Sequence, residues 1–134
     1  MGDADKMPLA FDFADDGTVV PRDSKFILVG PPGETERDEA EIDAYVATLV
    51  RWNGKCMYDT ITNTAWRYIP VAYILTNQDF TVPVHYQQSM VDSLRSQGRE
   101  VKTFEIDAGH APNLTKTNEV VNAINEASGW KPAN

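Results

Sequence analysis

The spacing of hydrophobic positions changes partway along the chain, near residues 60–70, and becomes regular after that point. The nearly continuous apolar run at residues 71–76 predicts a parallel strand that is buried on both faces. Pro83 suits the first turn of a following helix and Gly98 suits its end. The apolar face of that helix is predicted to carry Gln87, Met90, Val91 and Leu94.

A second strand is predicted at residues 101–106, with Phe104 and Ile106 on one face. A last helix is predicted from about residue 117 to residue 128, closed by Gly129. Its inward positions are predicted to be Val120, Val121, Ile124 and Ala127. The two strands begin about thirty residues apart, which is the length of a βαβ unit. We therefore expect a right-handed crossover and two adjacent parallel strands.

The pattern before residue 60 is irregular and acidic. A turn at residues 15–17, with Phe11 and Phe13 before it and Val19 and Val20 after it, predicts a short hairpin. The apolar run that follows, residues 26–29, fits either a strand or a buried loop, and the sequence leaves both open.

A helix is predicted to open at Thr35, with Asp38 three residues later in a weak capping-box pattern and Gly54 as its stop. Acidic side chains at its start suit the positive end of the helix dipole. The apolar face recurs at helical spacing and comprises Ile42, Tyr45, Val46, Leu49 and Val50.

Composition fits one globular domain: the chain has 134 residues, of which 42% are hydrophobic and 24% are charged. The formal net charge is −8. Because nucleic acids and anionic membrane surfaces require basic patches, we expect neither as a partner. No apolar run approaches the roughly 18 residues of a membrane-spanning helix.

Cysteine usage and the N-terminus both predict a cytoplasmic protein. Cys56 is the only cysteine, which excludes an internal disulfide and favours a reducing compartment. The first residues are polar and acidic, unlike a secretory signal.

Two loops leave the predicted carboxyl ends of the parallel strands, and each carries a residue suited to acid/base chemistry. The first loop carries Asp79 and the second carries His110. Ligands of open α/β sheets bind beyond the carboxyl ends of the strands, so adjacent strands would bring these residues together. A carboxylate beside a histidine fixes its tautomer and stabilises its charged form. Spacing alone also permits the simpler interpretation that each is a solvated or capping residue.

Three stretches resemble the C-terminal part of the α/β-hydrolase family, in a group common in fungi. Residues 65–74 look like the entry to a late strand of that fold. Asp79, followed by Val82 and Pro83, resembles the family's acid loop. Residues 107–114 resemble its histidine loop, often written Gly-His-Ser-Pro-Phe-Leu. The resemblance covers roughly residues 60–129, and it implies that Asp79 is the acid of the family.

The same resemblance implies that His110 is the family's base, although two neighbouring positions depart from its pattern. Ala111 stands where Ser is common and Asn113 where Phe is common. Residues 11–17 and the helix expected from Thr35 resemble, more weakly, the cap that precedes the late strands.

The Gly-x-Ser-x-Gly elbow that carries the family's nucleophile is absent from this sequence. Serines occur only outside that motif, at Ser24, Ser89, Ser93, Ser96 and Ser128. Ser24 is expected in a polar loop, and Cys56 is better explained as a small buried thiol than as a nucleophile. Ordinary serine-type ester hydrolysis is therefore not expected of this chain alone.

We predict a substrate pocket lined by Trp52, Tyr58, Trp66, Phe80 and Asn113. Trp130 is expected to pack or to line the pocket. His85 and His110 are too few for a zinc site without thiolates, so we expect neither a metal nor a cofactor.

The predicted fold class is α/β: a truncated hydrolase-like βαβα unit at residues 63–134, preceded by a cap-like segment at residues 1–62, in one compact domain. A two-stranded sheet leaves open edges, so we expect a homodimer that completes it.

Three functions fit these features. The first is an acid/base enzyme that uses His110 and Asp79 for cyclisation, isomerisation or dehydration of a small carbonyl or polyketide-type compound. The second is a non-catalytic binding or scaffold protein. The third is the C-terminal half of a split serine hydrolase, whose partner supplies the early strands.

Overall fold

A parallel pair of strands forms the centre of the C-terminal part. In the computed structural model, which describes residues 7–31, 33, 35 and 37–129, β4 (Val71–Thr76) pairs in parallel with β5 (Val101–Ile106). The register runs from Val71 opposite Val101 to Thr76 opposite Ile106. Both strands lie where the sequence predicted them. The protein is thus a small α/β protein with a two-stranded parallel sheet and packed helices.

The crossover between these strands is helix α4 (Val84–Ser96), with Pro83 at its N-cap. Gln87 and Val91 are buried, as expected for the face that meets the sheet. Met90, predicted on the same face, is 47% exposed. It lies on the flank of the apolar stripe, because a step of one residue turns an α-helix by about 100°.

Two helices follow β5, namely α5 (Pro112–Thr115) and α6 (Thr117–Ser128). Gly129 ends α6 in the left-handed conformation, as predicted. The predicted inward face of α6 was partly wrong, since Ala123 is its buried residue. The positions found exposed instead are Val121, Ile124 and Ala127. The face that packs on β4 and β5 is therefore centred between Val120 and Ala123.

The N-terminal part contains an antiparallel sheet and begins with the short helix α1 (Met7–Ala10). The predicted hairpin is confirmed: β1 (Phe11–Phe13) pairs with β2 (Thr18–Pro21), and Gly17 takes a positive φ of 81° in the turn. A third strand, β3 (Trp52–Asn53), pairs with β2 and was not predicted. Two residues are too few to produce a recognisable alternation in the sequence.

The apolar run at residues 26–29 is helical, so both alternatives offered by the sequence were wrong. It belongs to α2 (Ser24–Val29), and the side chain of Asp23 caps this helix by accepting a hydrogen bond from the Phe26 amide. Val29 is buried, whereas Phe26 is 43% exposed. The Asp cap outweighs the strand propensity of a short apolar run.

The next helix, α3 (Glu39–Val46), is shorter than the prediction on both sides. Asp38 is itself the N-cap, because its carboxylate accepts from the Ala40 amide. Ile42 is the buried residue of α3, while Val50 lies outside the helix and is 76% exposed. Gly54, the predicted stop, instead opens a 3₁₀ helix, Gly54–Met57.

A further 3₁₀ helix, Ala65–Arg67, precedes β4 in the chain. The buried apolar residues are Val19, Val29, Ile42, Leu75, Val91, Val101, Ile106, Ala108, Ala111 and Ala123. No helix within the described ranges is long and apolar enough to cross a bilayer. The boundary near residue 62, the truncated hydrolase topology and the homodimer stay predictions.

Candidate active site

Asp79 lies in the loop after β4, held on one side by backbone amides. Its Oδ1 accepts hydrogen bonds of 2.8 Å from the amides of Thr81 and Val82. The amide of Asp79 itself donates to the carbonyl of Thr76, the last residue of β4. Only 4% of the side chain is exposed. The loop thus fixes the carboxylate without help from solvent.

The second carboxylate oxygen faces the histidine loop. Nδ1 of His110 lies 2.9 Å from Oδ2 of Asp79, and the Thr76 hydroxyl donates to the same oxygen at 3.2 Å. The adjacent parallel strands therefore bring Asp79 and His110 together, as the sequence predicted. Since a carboxylate only accepts, the contact requires a proton on Nδ1, and in the neutral ring Nε2 then carries the lone pair.

The His110 ring is 37% exposed, far more than the carboxylate beneath it. Among the described residues, Asp79 is the ring's hydrogen-bond partner. A buried carboxylate behind an accessible imidazole is an arrangement that is able to transfer protons.

Gln87 on α4 belongs to this site and was predicted only as a residue of the apolar helix face. Its Oε1 accepts from the amide of Thr76 at 3.0 Å. Its Nε2 donates to the carbonyl of Val82 at 2.7 Å and lies 2.9 Å from the Thr76 hydroxyl. A polar residue at a core-facing helix position was the sequence signal for this role.

The strand pairing continues into both loops. The amide of Asn77 donates to the carbonyl of Ile106, and that of Gln78 donates to the carbonyl of Ala108. The Asn77 side-chain amide also donates to Asp107 at 3.1 Å. These bonds hold the loop of Asp79 against the loop of His110, beyond Thr76 and Ile106, the last paired residues of β4 and β5.

The end of α2 contacts both loops. The carbonyl of Ile27 accepts from the Thr81 hydroxyl, and the carbonyl of Leu28 accepts from the amide of Ala111, both at 2.9 Å. Gly109 lies so close that an added Cβ would be 3.3 Å from the carbonyl oxygen of Val29. The last carbonyls of a helix have no partner within it, and here the site loops provide partners.

The negative charge of the site also acts on Tyr73 of β4. Burial raises the pKa of the Tyr73 phenol above its ordinary value of 10.0, and the Asp79 carboxylate raises it further. The phenol therefore stays neutral over the physiological range.

Two of the five predicted pocket residues lie in the N-terminal part. Trp52 in β3 packs edge-on against Phe11, with ring centroids 6.0 Å apart. Tyr58 lies 6.4 Å from the ring of Phe13 and is 55% exposed. In the described part of the chain, no hydrogen bond or ring contact joins either of them to Asp79 or His110.

The other three pocket residues are also dispersed. Phe80, next to Asp79, is 54% exposed, and its ring lies 6.3 Å from that of Phe26. Trp66 is covered by the Arg67 guanidinium at 4.5 Å. Asn113 is exposed on α5, and its carbonyl accepts from the Thr117 hydroxyl. A common pocket for the five residues stays a prediction, and Trp130 lies outside the described residues.

Two cavities lie beside α2 instead. One, of about 310 Å³, is bordered by Lys25, Phe26 and Ile42. The other, of about 260 Å³, lies between Gln78 of the acid loop and Gly109 of the histidine loop. Neither is lined by any of the five predicted pocket residues.

Four of the described serines, Ser24, Ser89, Ser96 and Ser128, direct their hydroxyls to nearby backbone carbonyls. Ser24 donates to the Pro21 carbonyl from the first turn of α2, rather than lying in a polar loop. Ser89 and Ser96 donate to carbonyls of their own helix. The Cys56 thiol is exposed, so the expectation of a buried thiol was wrong. Within the described ranges, no three side chains cluster as metal ligands.

Comparison with known proteins gives one informative similarity. No protein-family model matches the chain. The chain is similar to a protein from Phoma sp. named "Probable hydrolase R7", with 28% identity over 86 residues. The match covers 63% of this chain and 35% of that protein. The chain thus spans about a third of the length of the curated relative that it matches, and this relative is hydrolase-like.

Proposed function

We propose that His110 and Asp79 form the acid/base pair of a hydrolase-derived site that transfers protons on a small carbonyl compound. The supporting observation is the 2.9 Å contact between the accessible His110 ring and the buried Asp79 carboxylate. The carboxylate oxygens accept from five described donors: the amides of Thr81 and Val82, the Thr76 hydroxyl, the His110 ring and, at 3.5 Å, the Gln87 side-chain amide. Such anchoring keeps the imidazole oriented throughout a reaction cycle.

The chemistry follows from the tautomer. Nε2 of His110 takes a proton from the carbon next to a carbonyl group, and the electron pair of the broken C–H bond forms the enolate. The ring becomes an imidazolium, which the Asp79 carboxylate stabilises through the Nδ1 hydrogen bond. Returning the proton at another position completes an isomerisation, and giving it to a departing hydroxyl completes a dehydration. Imidazole suits both steps because one ring nitrogen can accept and return a proton while the other keeps its hydrogen bond to the carboxylate.

A second function is favoured by the partial coverage of the relative: His110 serves as base for a serine on another polypeptide. The chain corresponds to about 35% of the hydrolase-like relative, and the parallel sheet of the described residues has two strands. The exposed edge of such a sheet is a surface that another strand can cover. In this case the serine gives its proton to Nε2 and attacks an ester carbonyl.

The base itself is tested with 5-nitrobenzisoxazole, a probe whose ring opens when a base removes its C–H proton. No serine is needed, since the electron pair of the C–H bond forms a nitrile while the N–O bond breaks and leaves its pair on the phenolate oxygen. We expect His110→Ala to lower the protein-catalysed rate at least about 100-fold, the usual contribution of a positioned base. His85→Ala is the matched control because His85 is exposed and packs on Tyr86. Equal rates for the wild type and His110→Ala would refute the acid/base proposal.

The second function is tested by light scattering and by labelling with a fluorophosphonate, on the purified chain alone and on the chain together with the proteins that co-purify with it. A homodimer that catalyses the ring opening without labelling supports the stand-alone enzyme. An assembly in which a second polypeptide reacts with the fluorophosphonate supports the serine hydrolase. A chain that binds small carbonyl compounds and turns none over would fit the scaffold function.

A further inference from the structure

We propose that Gln87 is a positioning residue, which acts through Thr76 to hold the Asp79 carboxylate and thereby keeps the His110 proton on Nδ1. The inference deepens the proposed function and rests on it for its consequence in catalysis. Its structural part can be tested without any substrate.

The orientation of the Gln87 amide is set by its surroundings. Oε1 faces a donor, the amide of Thr76, at 3.0 Å. Nε2 faces acceptors, and the nearest is the carbonyl of Val82 at 2.7 Å. If the two amide atoms were exchanged, the Gln87 oxygen would face the Val82 carbonyl oxygen at 2.7 Å and the Gln87 NH₂ group would face the Thr76 amide at 3.0 Å. The side chain therefore joins the end of β4 to the loop that carries Asp79.

This orientation also sets the direction of the next hydrogen bond. Nε2 of Gln87 lies 2.9 Å from the Thr76 hydroxyl oxygen and can only donate to it. The single proton of the Thr76 hydroxyl is then free to point at Oδ2 of Asp79, 3.2 Å away. Nε2 of Gln87 also lies 3.5 Å from Oδ2 of Asp79, which is longer than either bond made through the Thr76 hydroxyl. The shorter series of donors therefore runs from Gln87 to Thr76 to Asp79 and ends on the oxygen that accepts from His110.

Burial makes this arrangement rigid. Counted over the whole residue, Gln87 is 3% exposed, Thr76 is 6% exposed and Asp79 is 7% exposed. Water therefore does not compete for these groups, and a lost bond leaves a buried polar atom without a partner. With Oδ1 fixed by two backbone amides, the Thr76 hydroxyl directs Oδ2 toward the histidine loop.

A purely structural role for Gln87 would change stability but not the His110 tautomer. The test therefore reads the ring nitrogens of His110 directly, by long-range ¹H–¹⁵N NMR of the neutral ring. In the wild type we expect the Nδ1–H tautomer. In Gln87→Met, which keeps the side-chain length, we expect a mixture in which the Nε2–H tautomer is populated. Ring opening of 5-nitrobenzisoxazole should fall about tenfold, as expected for a base held less accurately.

A second pair of variants addresses the case in which Gln87→Met does not fold. Thr76→Val keeps the shape of the side chain and removes the hydroxyl, so it should give the same tautomer mixture. Thr76→Ser restores a hydroxyl and should restore the Nδ1–H tautomer. Gln88→Met is the matched control on the same helix, because the Gln88 amide bonds to the exposed Asp92.

The outcomes separate this inference from the proposed function. An unchanged Nδ1–H tautomer in both folded Gln87→Met and Thr76→Val would overturn the positioning role. A wild-type protein with the Nδ1–H tautomer but no base-catalysed ring opening would overturn the proposed function and leave the positioning role standing.

Discussion

The two parts of the molecule are built at different scales. The C-terminal part pairs β4 and β5 over six residues each, and its main helices have 13 and 12 residues. In the N-terminal part no strand exceeds four residues and no helix exceeds eight within the described ranges. Long elements bury a continuous apolar face, whereas short ones depend on individual contacts.

Ion pairs are correspondingly prominent in the N-terminal part. Lys25 contacts Glu39 at 2.7 Å and Asp43 at 2.8 Å, joining α2 to α3. Arg51 contacts Asp12 at 2.9 Å. The acidic side chains of these pairs are about half exposed or more, and such pairs contribute little to stability in water. We therefore expect this part to open locally at a lower free energy than the βαβα unit.

The candidate site draws its side chains from only one of the two parts. Asp79, Gln87 and His110 all belong to the βαβα unit, and the N-terminal part reaches them through the carbonyls of Ile27 and Leu28. The unit that we expect to be the more stable thus carries these three side chains, while the N-terminal part contacts their loops.

The largest expected effect comes from the core of the βαβα unit. Val91 is fully buried on α4, and Val91→Ala should lower the free energy of unfolding by about 2–3 kcal/mol, from lost burial and the cavity left behind. Urea denaturation measures the loss, and hydrogen exchange should show faster opening throughout β4 and β5.

Val19→Ala is the matched variant, because Val19 is fully buried in the N-terminal sheet. Its faster exchange should be confined to the N-terminal part. If Val19→Ala opened β4 and β5 as much as Val91→Ala does, the two parts would unfold as one unit and the comparison would fail.

An intermediate effect is expected at the junction. Thr81→Val removes the hydroxyl that donates to the Ile27 carbonyl. The loss should be about 1 kcal/mol, the typical contribution of one hydrogen bond, with faster amide exchange in α2. Thr115→Val is the control, since the Thr115 hydroxyl donates to the carbonyl of Ala111, the N-cap of its own helix α5. Equal exchange of α2 in both variants would show that this bond does not couple the parts.

The smallest effect concerns alkaline pH. The Tyr73 phenol of the unfolded chain titrates near its ordinary pKa of 10.0, and burial raises the pKa in the folded protein. Above pH 10 the unfolded chain therefore binds fewer protons, and stability falls as the pH rises toward the folded pKa. Tyr73→Phe should lessen this alkaline loss and leave stability near pH 7 with little pH dependence from this site. Urea midpoints measured from pH 8 to 11 would show it, and parallel curves would contradict it.

The sequence predicted the βαβα unit well because its signals are long. Continuous apolar runs of six residues and a Pro and a Gly at the helix ends leave few alternatives. The contact between Asp79 and His110 was expected from two sources: parallel neighbours carry their loops at the same edge of the sheet, and both loops resemble those of a known family. The catalytic role of this pair and the pocket around it stay predictions.

The N-terminal part was predicted less well, for physical reasons that particular residues show. Asp23 turns a short apolar run into α2 by capping it, and Asp38 shifts the start of α3 to Glu39. Single caps of this kind decide short elements, because the free energies of the competing conformations are close.

The sequence by itself determined the α/β class, the two parallel strands and the pairing of an acid loop with a histidine loop. Only the tertiary structure decided that the end of α2 contacts both loops and that the Gln87 amide lies within hydrogen-bond reach of Thr76 and Asp79. The reason is physical. The spacing of apolar residues along the chain encodes which positions of a helix or strand are buried. The partner of a buried polar group, in contrast, depends on which atoms, distant in sequence, the packing brings within hydrogen-bond reach.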